Sequence, residues 1–171
     1  MNIAIVGATG NVGRRLIEVL EKKQFPIDEL FLIASSKSVG KKINFKGKEH
    51  SIHGLESFDF SSVKIAFFSA GSAIADKWAP IAAQKTIVID NSKFFRMDPE
   101  VPLIVPEVNS KDLKNYKKKN IIANANCSVI PLVVALKPLH DLYNIKRIVA
   151  STYQSVSGAG KAPMDELLSQ T

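Results

Sequence analysis

The sequence predicts a doubly wound α/β fold, a mostly parallel sheet with helices on both faces. Three features predict it. Short apolar runs rich in β-branched residues alternate with stretches of helical periodicity. The first of those runs is followed at once by a glycine-rich turn. Successive strands are separated by helix-length crossovers, which parallel pairing requires and which wind right-handed.

In chain order, residues 2–6 form the first strand, bounded by Gly7, and residues 13–22 place Leu16, Ile17 and Leu20 at helical spacing. Residues 31–34 form the second strand. In residues 41–52, Ile43 and Phe45 alternate with polar neighbours before Lys46-Gly47, which signals a hairpin. Residues 63–68 read as a buried strand, 72–84 as a helix and 86–90 as a strand. Residues 103–105, flanked by Pro102 and Pro106, read as an edge strand, and residues 121–125 as a strand leading to Cys127. From Ser128 the chain is apolar nearly all round, which predicts a buried helix ending near Pro138. Residues 145–154 read as a further strand and 162–168 as a helix. A strand and a helix without further partners cannot bury both faces of a new layer, so the chain reads as interrupted just after a second domain begins.

Composition narrows the class. At 171 residues with 46% hydrophobic content, the chain can bury a full core. A single cysteine cannot form an internal disulfide, and no apolar stretch approaches the length of a membrane span, so the sequence reads as a cytoplasmic protein with no membrane partner. The net charge of +7 raises the question of nucleic acid. Lys111, Lys114, Lys117, Lys118 and Lys119 form a basic run, but it holds one aromatic, Tyr116, and no recognition motif, so it reads as a solvated connector and no nucleic-acid partner is expected. Positive charge instead favours an anionic cofactor and a phosphorylated substrate.

Two segments carry chemistry. Gly7, Thr9, Gly10, Asn11, Val12 and Gly13 lie between strand and helix, where glycines permit close backbone approach and the helix start offers N–H groups to a pyrophosphate. The acid that would hold an NAD ribose after the second strand is absent. Ser35, Ser36, Lys37 and Ser38 stand there instead, hydroxyls and a cation suited to the 2′-phosphate of NADP(H), although a serine-rich loop is also ordinary loop composition. Ser69, Ala70 and Gly71 follow another strand at the same sheet edge, with room for a ribose or pyrophosphate. Cys127 sits where a strand gives way to a helix. There the helix dipole stabilises negative charge and backbone N–H groups can receive an oxyanion, whereas a lone cysteine elsewhere is usually a small buried hydrophobe. A proton shuttle is missing: His140 lies roughly 20 Å along the helix that follows, at ~1.5 Å per residue, and His50 and His53 belong to the hairpin, where an exposed face is the simpler reading than a metal site.

Taken together, Gly7-Ala8-Thr9-Gly10-Asn11-Val12-Gly13, Phe68-Ser69-Ala70-Gly71, Asp90-Asn91-Ser92, Phe95-Arg96-Met97-Asp98-Pro99, Val105-Pro106-Glu107-Val108-Asn109, Asn126-Cys127-Ser128 and Thr152 to Gly160 resemble the aspartate-β-semialdehyde dehydrogenases, in that family's order across essentially the whole chain. The resemblance implies a Rossmann-like NADP-binding domain over residues 1–126 and the beginning of a truncated catalytic and dimerisation domain over 127–171. It implies Cys127 as the nucleophile that forms a thioester, Gln154 as a substrate-orienting group and Arg96 as the holder of substrate phosphate or inorganic phosphate. Thr9, Gly10, Asn11 and Val12 would bind the pyrophosphate, Lys37 and Ser38 the 2′-phosphate, and Ser157 with Gly158 the nicotinamide end. The implied reaction converts L-4-aspartyl phosphate and NADPH to L-aspartate 4-semialdehyde and phosphate, in lysine, threonine and methionine biosynthesis, by a homodimer or homotetramer. Lys37 departs from the family's usual arginine, Ser72 from a frequent glycine, and the family's acid/base histidine lies beyond the matching segments, so this chain alone is expected to be poorly active or inactive. N-acetyl-γ-glutamyl-phosphate reductase and a non-catalytic nucleotide-binding remnant are the alternatives.

Overall fold

The computed structural model describes residues 1–171, apart from the side chain of Lys161. Strands β1 (Ile3–Val6) and β2 (Leu30–Ala34) flank helix α1 (Asn11–Lys22) in sequence. A hairpin follows, β3 (Lys42–Phe45) and β4 (Lys48–Gly54), and then β5 (Ile65–Phe68), α2 (Ser72–Ala83) and β6 (Ile87–Asp90). The short edge strand β7 (Leu103–Ile104), one helical turn α3 (Pro106–Asn109) and β8 (Ile121–Asn124) complete the sheet, and α4 (Val129–Tyr143) and α5 (Lys161–Gln170) lie beyond it.

The eight strands form one sheet in the order β3-β4-β2-β1-β5-β6-β8-β7, parallel except for the β3–β4 hairpin. The expected doubly wound fold is therefore what forms. The hairpin has a further use: β4 also pairs in parallel with β2, which extends the sheet by two strands.

Burial follows strand parity, because alternate side chains face opposite sides. One face packs Ala4, Val6, Ala66, Phe68 and Val88 against Ala75, Ala79, Ala82 and Ala83 of α2, whose small side chains let helix and sheet approach closely. The other face packs Ile3, Ile5, Leu30 and Leu32 against Ile17 and Leu20 of α1. This second layer thins toward β6 and β8, where Phe67, Ile87, Ile89 and Ile122 are only half-buried.

At the carboxyl ends of the strands, β1 is the switch point between its neighbours β2 and β5. Gly7 N and Ala8 N both donate to Ile33 O, at 2.9 and 3.1 Å, so the turn after β1 is tied to the end of β2. Gly7 has φ +88, and a Cβ there would lie 2.7 Å from Ser69 O. A Cβ on Gly13 would lie 2.2 Å from Gly7 O. These two glycines let α1 and the segment after β5 close onto the turn.

Three expectations are corrected. Residues 145–154 form no strand, since no strand of this sheet lies beside them to supply a ladder. The helix after Cys127 does not end near Pro138. It runs to Tyr143, supported by the Lys137–Asp141 ion pair one turn apart, and stops where Asn144 takes the left-handed conformation and donates to His140 O at 2.8 Å. Nor is that helix buried: none of its residues is, because no second layer of this chain covers its apolar surface. Among the described residues no helix is long and apolar enough to cross a membrane.

Gly13→Ala forces Cβ into the Gly7 carbonyl and is expected to lower unfolding free energy by about 1–3 kcal/mol or more, read by urea denaturation. An unchanged midpoint would show that the turn can relax away from the helix.

Candidate active site

A cavity of about 780 Å³ opens at the carboxyl edge of the sheet. Asn11 and Val12, at the start of α1, form one wall. Ser69, Asn91 and Asn124, which follow or end β5, β6 and β8, form the floor. Cys127 and Ser128 stand at the entry to α4, and Gln154, Ser155, Ser157 and Gly158 come in from the segment before α5. Leu16, Val19, Phe67 and Ile89 make the remaining wall apolar. Cys127, Gln154, the Ser157-Gly158 pair and, from the glycine-rich segment, Asn11 and Val12 thus meet in one place although they are far apart in sequence, whereas Gly7, Thr9, Gly10 and Gly13 lie outside the lining.

Cys127 is exposed rather than packed in the core. Its position is set by Asn126, whose side-chain Oδ1 accepts from Ser128 N at 2.9 Å and whose carbonyl accepts from Val129 N and Ile130 N at 3.0 Å each. This turn caps α4 with Asn126 and leaves Cys127 at its outer corner. Among the described residues the Cys127 backbone N–H has no acceptor, so a donor is free beside its own sulfur. Gln154 Nε2 donates to Thr152 Oγ1 at 3.1 Å, and the Ser155 and Ser157 hydroxyls lie 2.6 Å apart. Asn11 Nδ2 reaches Met164 Sδ of α5 at 3.4 Å, which joins the last helix to the glycine turn.

The glycine turn suits a pyrophosphate. The first-turn N–H groups of α1 have no intrahelical partner, and no acidic residue stands in that turn to repel an anion. Gly10, unlike Gly7 and Gly13, is exposed, has φ −75 and would place a Cβ no nearer than 3.4 Å to the fold, so packing does not demand a glycine there. The bare backbone is open to a ligand. Ser35, Ser36 and Lys37 are exposed and Ser38 half-buried in the turn after β2, the strand whose Ile33 carbonyl holds the glycine turn, and all four lie outside the cavity lining. Ala70 and Gly71 lead into α2 from the end of β5 and also lie outside that lining.

Arg96 is placed differently from a free surface charge. Its Nε donates to Asn124 O at 2.9 Å and its Nη2 to Asn91 O at 3.1 Å, so the guanidinium bridges the ends of β6 and β8 through two residues that line the cavity while lying outside the lining itself. Asp90, fully buried, lies beneath. It accepts from Ser92 N at 3.0 Å and Ser92 Oγ at 2.6 Å, and Ser92 Oγ accepts from Phe94 N at 3.1 Å. Burial pushes the Asp90 carboxyl above its ordinary value, opposed by the Ser92 hydrogen bonds and the charge of Arg96. The sequence does not single out Asn91 or Asn124 as site residues: Asn91 stands in a matching segment, whereas Asn124 has only its place at the end of a strand leading to Cys127.

No imidazole lines this cavity among the described residues. His50 Nδ1 faces Leu30 O at 3.1 Å, half-buried rather than on an open hairpin face, because its ring packs on Phe45. His53 packs beside Phe31 and Phe58, and His140 lines a separate cavity near the end of α4.

Residues 2–116 match the semialdehyde dehydrogenase NAD binding domain and residues 136–171 the semialdehyde dehydrogenase dimerisation domain. The chain belongs to the semialdehyde dehydrogenase family. It is 54% identical to aspartate-semialdehyde dehydrogenase 2 of Vibrio cholerae, over 99% of this chain and 51% of that protein. It is 55% identical to aspartate-semialdehyde dehydrogenase of Aquifex aeolicus, over 99% and 50%. The chain therefore spans about half the length of the curated relatives it matches. Its backbone superposes on the crystal structure of the Vibrio cholerae aspartate semialdehyde dehydrogenase II complexed with ASA at a TM-score of 0.96, with 54% identity over 99% of this chain and 51% of that one. It also resembles the Candida albicans enzyme solved with NADP, at a TM-score of 0.64 and 27% identity over 84% of this chain and 48% of that one.

Two outcomes follow from this geometry. Cys127 is expected to titrate with an aromatic disulfide reagent in the native chain, one thiol per molecule, and a thiol that reacts only after denaturant is added contradicts the exposed placement. Because its folded-state pKa is raised, Asp90 binds a proton more readily in the folded than in the unfolded chain. Stability should therefore fall as pH rises from about 4, the unfolded carboxyl value, through the raised folded value. Asp90→Asn, compared with the parent chain by urea melts across that range, is expected to lack this component of the fall.

Proposed function

We propose that this chain is the cofactor-binding and nucleophile-bearing part of an NADP-dependent aspartate-β-semialdehyde dehydrogenase. The enzyme converts L-4-aspartyl phosphate and NADPH to L-aspartate 4-semialdehyde and phosphate, reversibly, in lysine, threonine and methionine biosynthesis. The observation that carries the reading is the shared cavity, lined both by the exposed Cys127 and by Asn11 and Val12 at the start of α1. On this reading residues 1–126 form the nucleotide domain, residues 127–171 open the catalytic and dimerisation domain, and the cytoplasmic enzyme assembles as a homodimer or homotetramer. The dimerisation-domain match over 136–171 supports assembly.

The Cys127 sulfur attacks the acyl carbon of the phosphorylated substrate. The oxyanion that forms is met by the free Cys127 N–H, and its collapse expels phosphate and leaves a thioester. NADPH, when bound, supplies the hydride that reduces this thioester, and the Cys127 thiolate leaves as the aldehyde is released. Gln154 orients the acyl group from across the cavity. Arg96, with Nε and Nη2 held by carbonyls, keeps Nη1 for the phosphate, its plane set before the anion arrives. Gly7, Thr9, Gly10, Asn11, Val12 and Gly13 cradle the pyrophosphate, with Ser69, Ala70 and Gly71 beside it. Ser35, Ser36, Lys37 and Ser38 take the 2′-phosphate, and Ser157 with Gly158 flank the nicotinamide. A proton shuttle is still needed, and none of His50, His53 or His140 reaches the sulfur.

Calorimetric titration of the chain should find NADPH bound at least about tenfold more tightly than NADH, since a charge-assisted contact to phosphate is worth roughly 1.5–3 kcal/mol. Lys37→Ala should remove most of that preference, and equal affinities in the parent chain would refute the cofactor choice. Gly10→Ala should weaken both nucleotides while leaving the unfolding midpoint unchanged. Without a histidine at the sulfur the chain by itself should turn over far below the ~1 per second that marks slow natural enzymes, in an assay of semialdehyde oxidation. A higher rate would mean that another group here moves the proton.

A further inference from the structure

The ends of β6 and β8 carry a polar pair to which the reaction above gives no task. Asn124 Nδ2 donates to Asn91 Oδ1 at 2.6 Å, and both residues line the cavity with Cys127 and the Ser157-Gly158 pair. The pair is firmly mounted. Arg96 donates to the main-chain carbonyls of these same two residues, and the buried Asp90 fixes the turn that leaves Asn91 by holding Ser92.

A primary amide offers one carbonyl oxygen and one NH2 group. The bond between the two side chains consumes one oxygen and one N–H. Whichever amide donates, the couple keeps a free carbonyl oxygen on one side chain and a free NH2 on the other. Among the described residues no other group engages these atoms, and neither is sealed away without a partner. The residues that carry them, Asn91 and Asn124, both line the cavity. A free donor and a free acceptor on one couple are the complement of a third primary carboxamide, which presents one of each. An anionic substrate group fits poorly, because a carboxylate or phosphate brings acceptors only and would face the free carbonyl oxygen.

We propose that the Asn91–Asn124 couple docks the carboxamide of the nicotinamide ring and so sets which way the ring lies over Cys127; this rests on the nucleotide reading above. In the dihydronicotinamide ring the carbon that gives the hydride is bonded to the carbon that bears the carboxamide. Whatever fixes the carboxamide must then share a cavity with the sulfur whose thioester is reduced, as Asn91 and Asn124 do. The floor of the cavity is thereby a specificity determinant for the ring rather than a structural tie alone.

The test is a calorimetric comparison, on this chain, of NADP+, its 3-acetylpyridine analogue and 2′,5′-ADP. The analogue keeps the carbonyl and replaces the NH2 by a methyl group. The parent chain should bind NADP+ roughly three- to tenfold more tightly than the analogue, as loss of one hydrogen bond implies. Asn91→Ala and Asn124→Ala should each bring NADP+ close to the analogue while leaving 2′,5′-ADP affinity unchanged. The inference is overturned if the parent binds both dinucleotides alike, if either variant still separates them, or if 2′,5′-ADP weakens in parallel, which would mark the couple as purely structural. A parent chain that binds none of the three removes the nucleotide reading as well; one that binds 2′,5′-ADP but treats both dinucleotides equally removes this inference alone.

Discussion

The geometry at the working edge of this sheet depends on how closely its backbone segments approach the turn after β1. The Ile33 carbonyl takes two N–H groups from that turn, and the absence of Cβ atoms at Gly7 and Gly13 lets the segment after β5 and helix α1 close in on either side. If those approaches were relaxed by a few tenths of an ångström, α1 would move relative to β5 and β6. The wall formed by Asn11 and Val12 would shift with it relative to Cys127. Backbone packing, more than any single polar contact, makes a nucleotide turn and a nucleophile neighbours.

A second layer of constraint sits behind the first. Arg96, Asn91 and Asn124 form a set of hydrogen bonds that ties the ends of β6 and β8 together, and Asp90 and Ser92 form a second set beside it that fixes the turn after β6. A buried carboxylate is costly in a protein interior unless its oxygens are satisfied, and here both accept from Ser92, with Arg96 near enough to act on the charge. The cost of burying Asp90 is offset by the rigidity it gives to residues whose side chains reach the cavity. Asn126 does the same for the opposite wall by capping α4, so that Cys127 is held by its neighbours while its side chain, in contact only with Ser128 Oγ at 4.0 Å, stays exposed.

The apolar outside of α4 and the uncovered stretch after it are where local pattern and tertiary outcome part. Ile130, Leu132, Val133 and Leu136 have the composition of buried residues, yet they are only half-buried in this chain. Residues 145–154 have strand composition without a strand beside them. In both cases the side chains report an environment that these residues alone do not build, since a strand needs a ladder partner and an apolar helix face needs a second layer. Pro138 removes a hydrogen bond and by itself favours a stop, but the helix continues past it to Tyr143.

What the sequence determined by itself was largely local or additive: the alternation of strands and helices, the glycine turn between β1 and α1, the hairpin at Lys46-Gly47, the strand-to-helix junction at Cys127 and the lack of a nearby histidine. Each follows from residue type and spacing within a few positions, where steric and hydrophobic preferences act directly. Only the tertiary structure decided which strand ends lie side by side, that Arg96 spends two donors on main-chain carbonyls, that Cys127 stays open to the cavity, and that Asn91 and Asn124 meet. Those facts depend on sheet order and on contacts between residues dozens of positions apart, and hydrogen-bonding capacity alone does not specify which of many possible partners a side chain will meet.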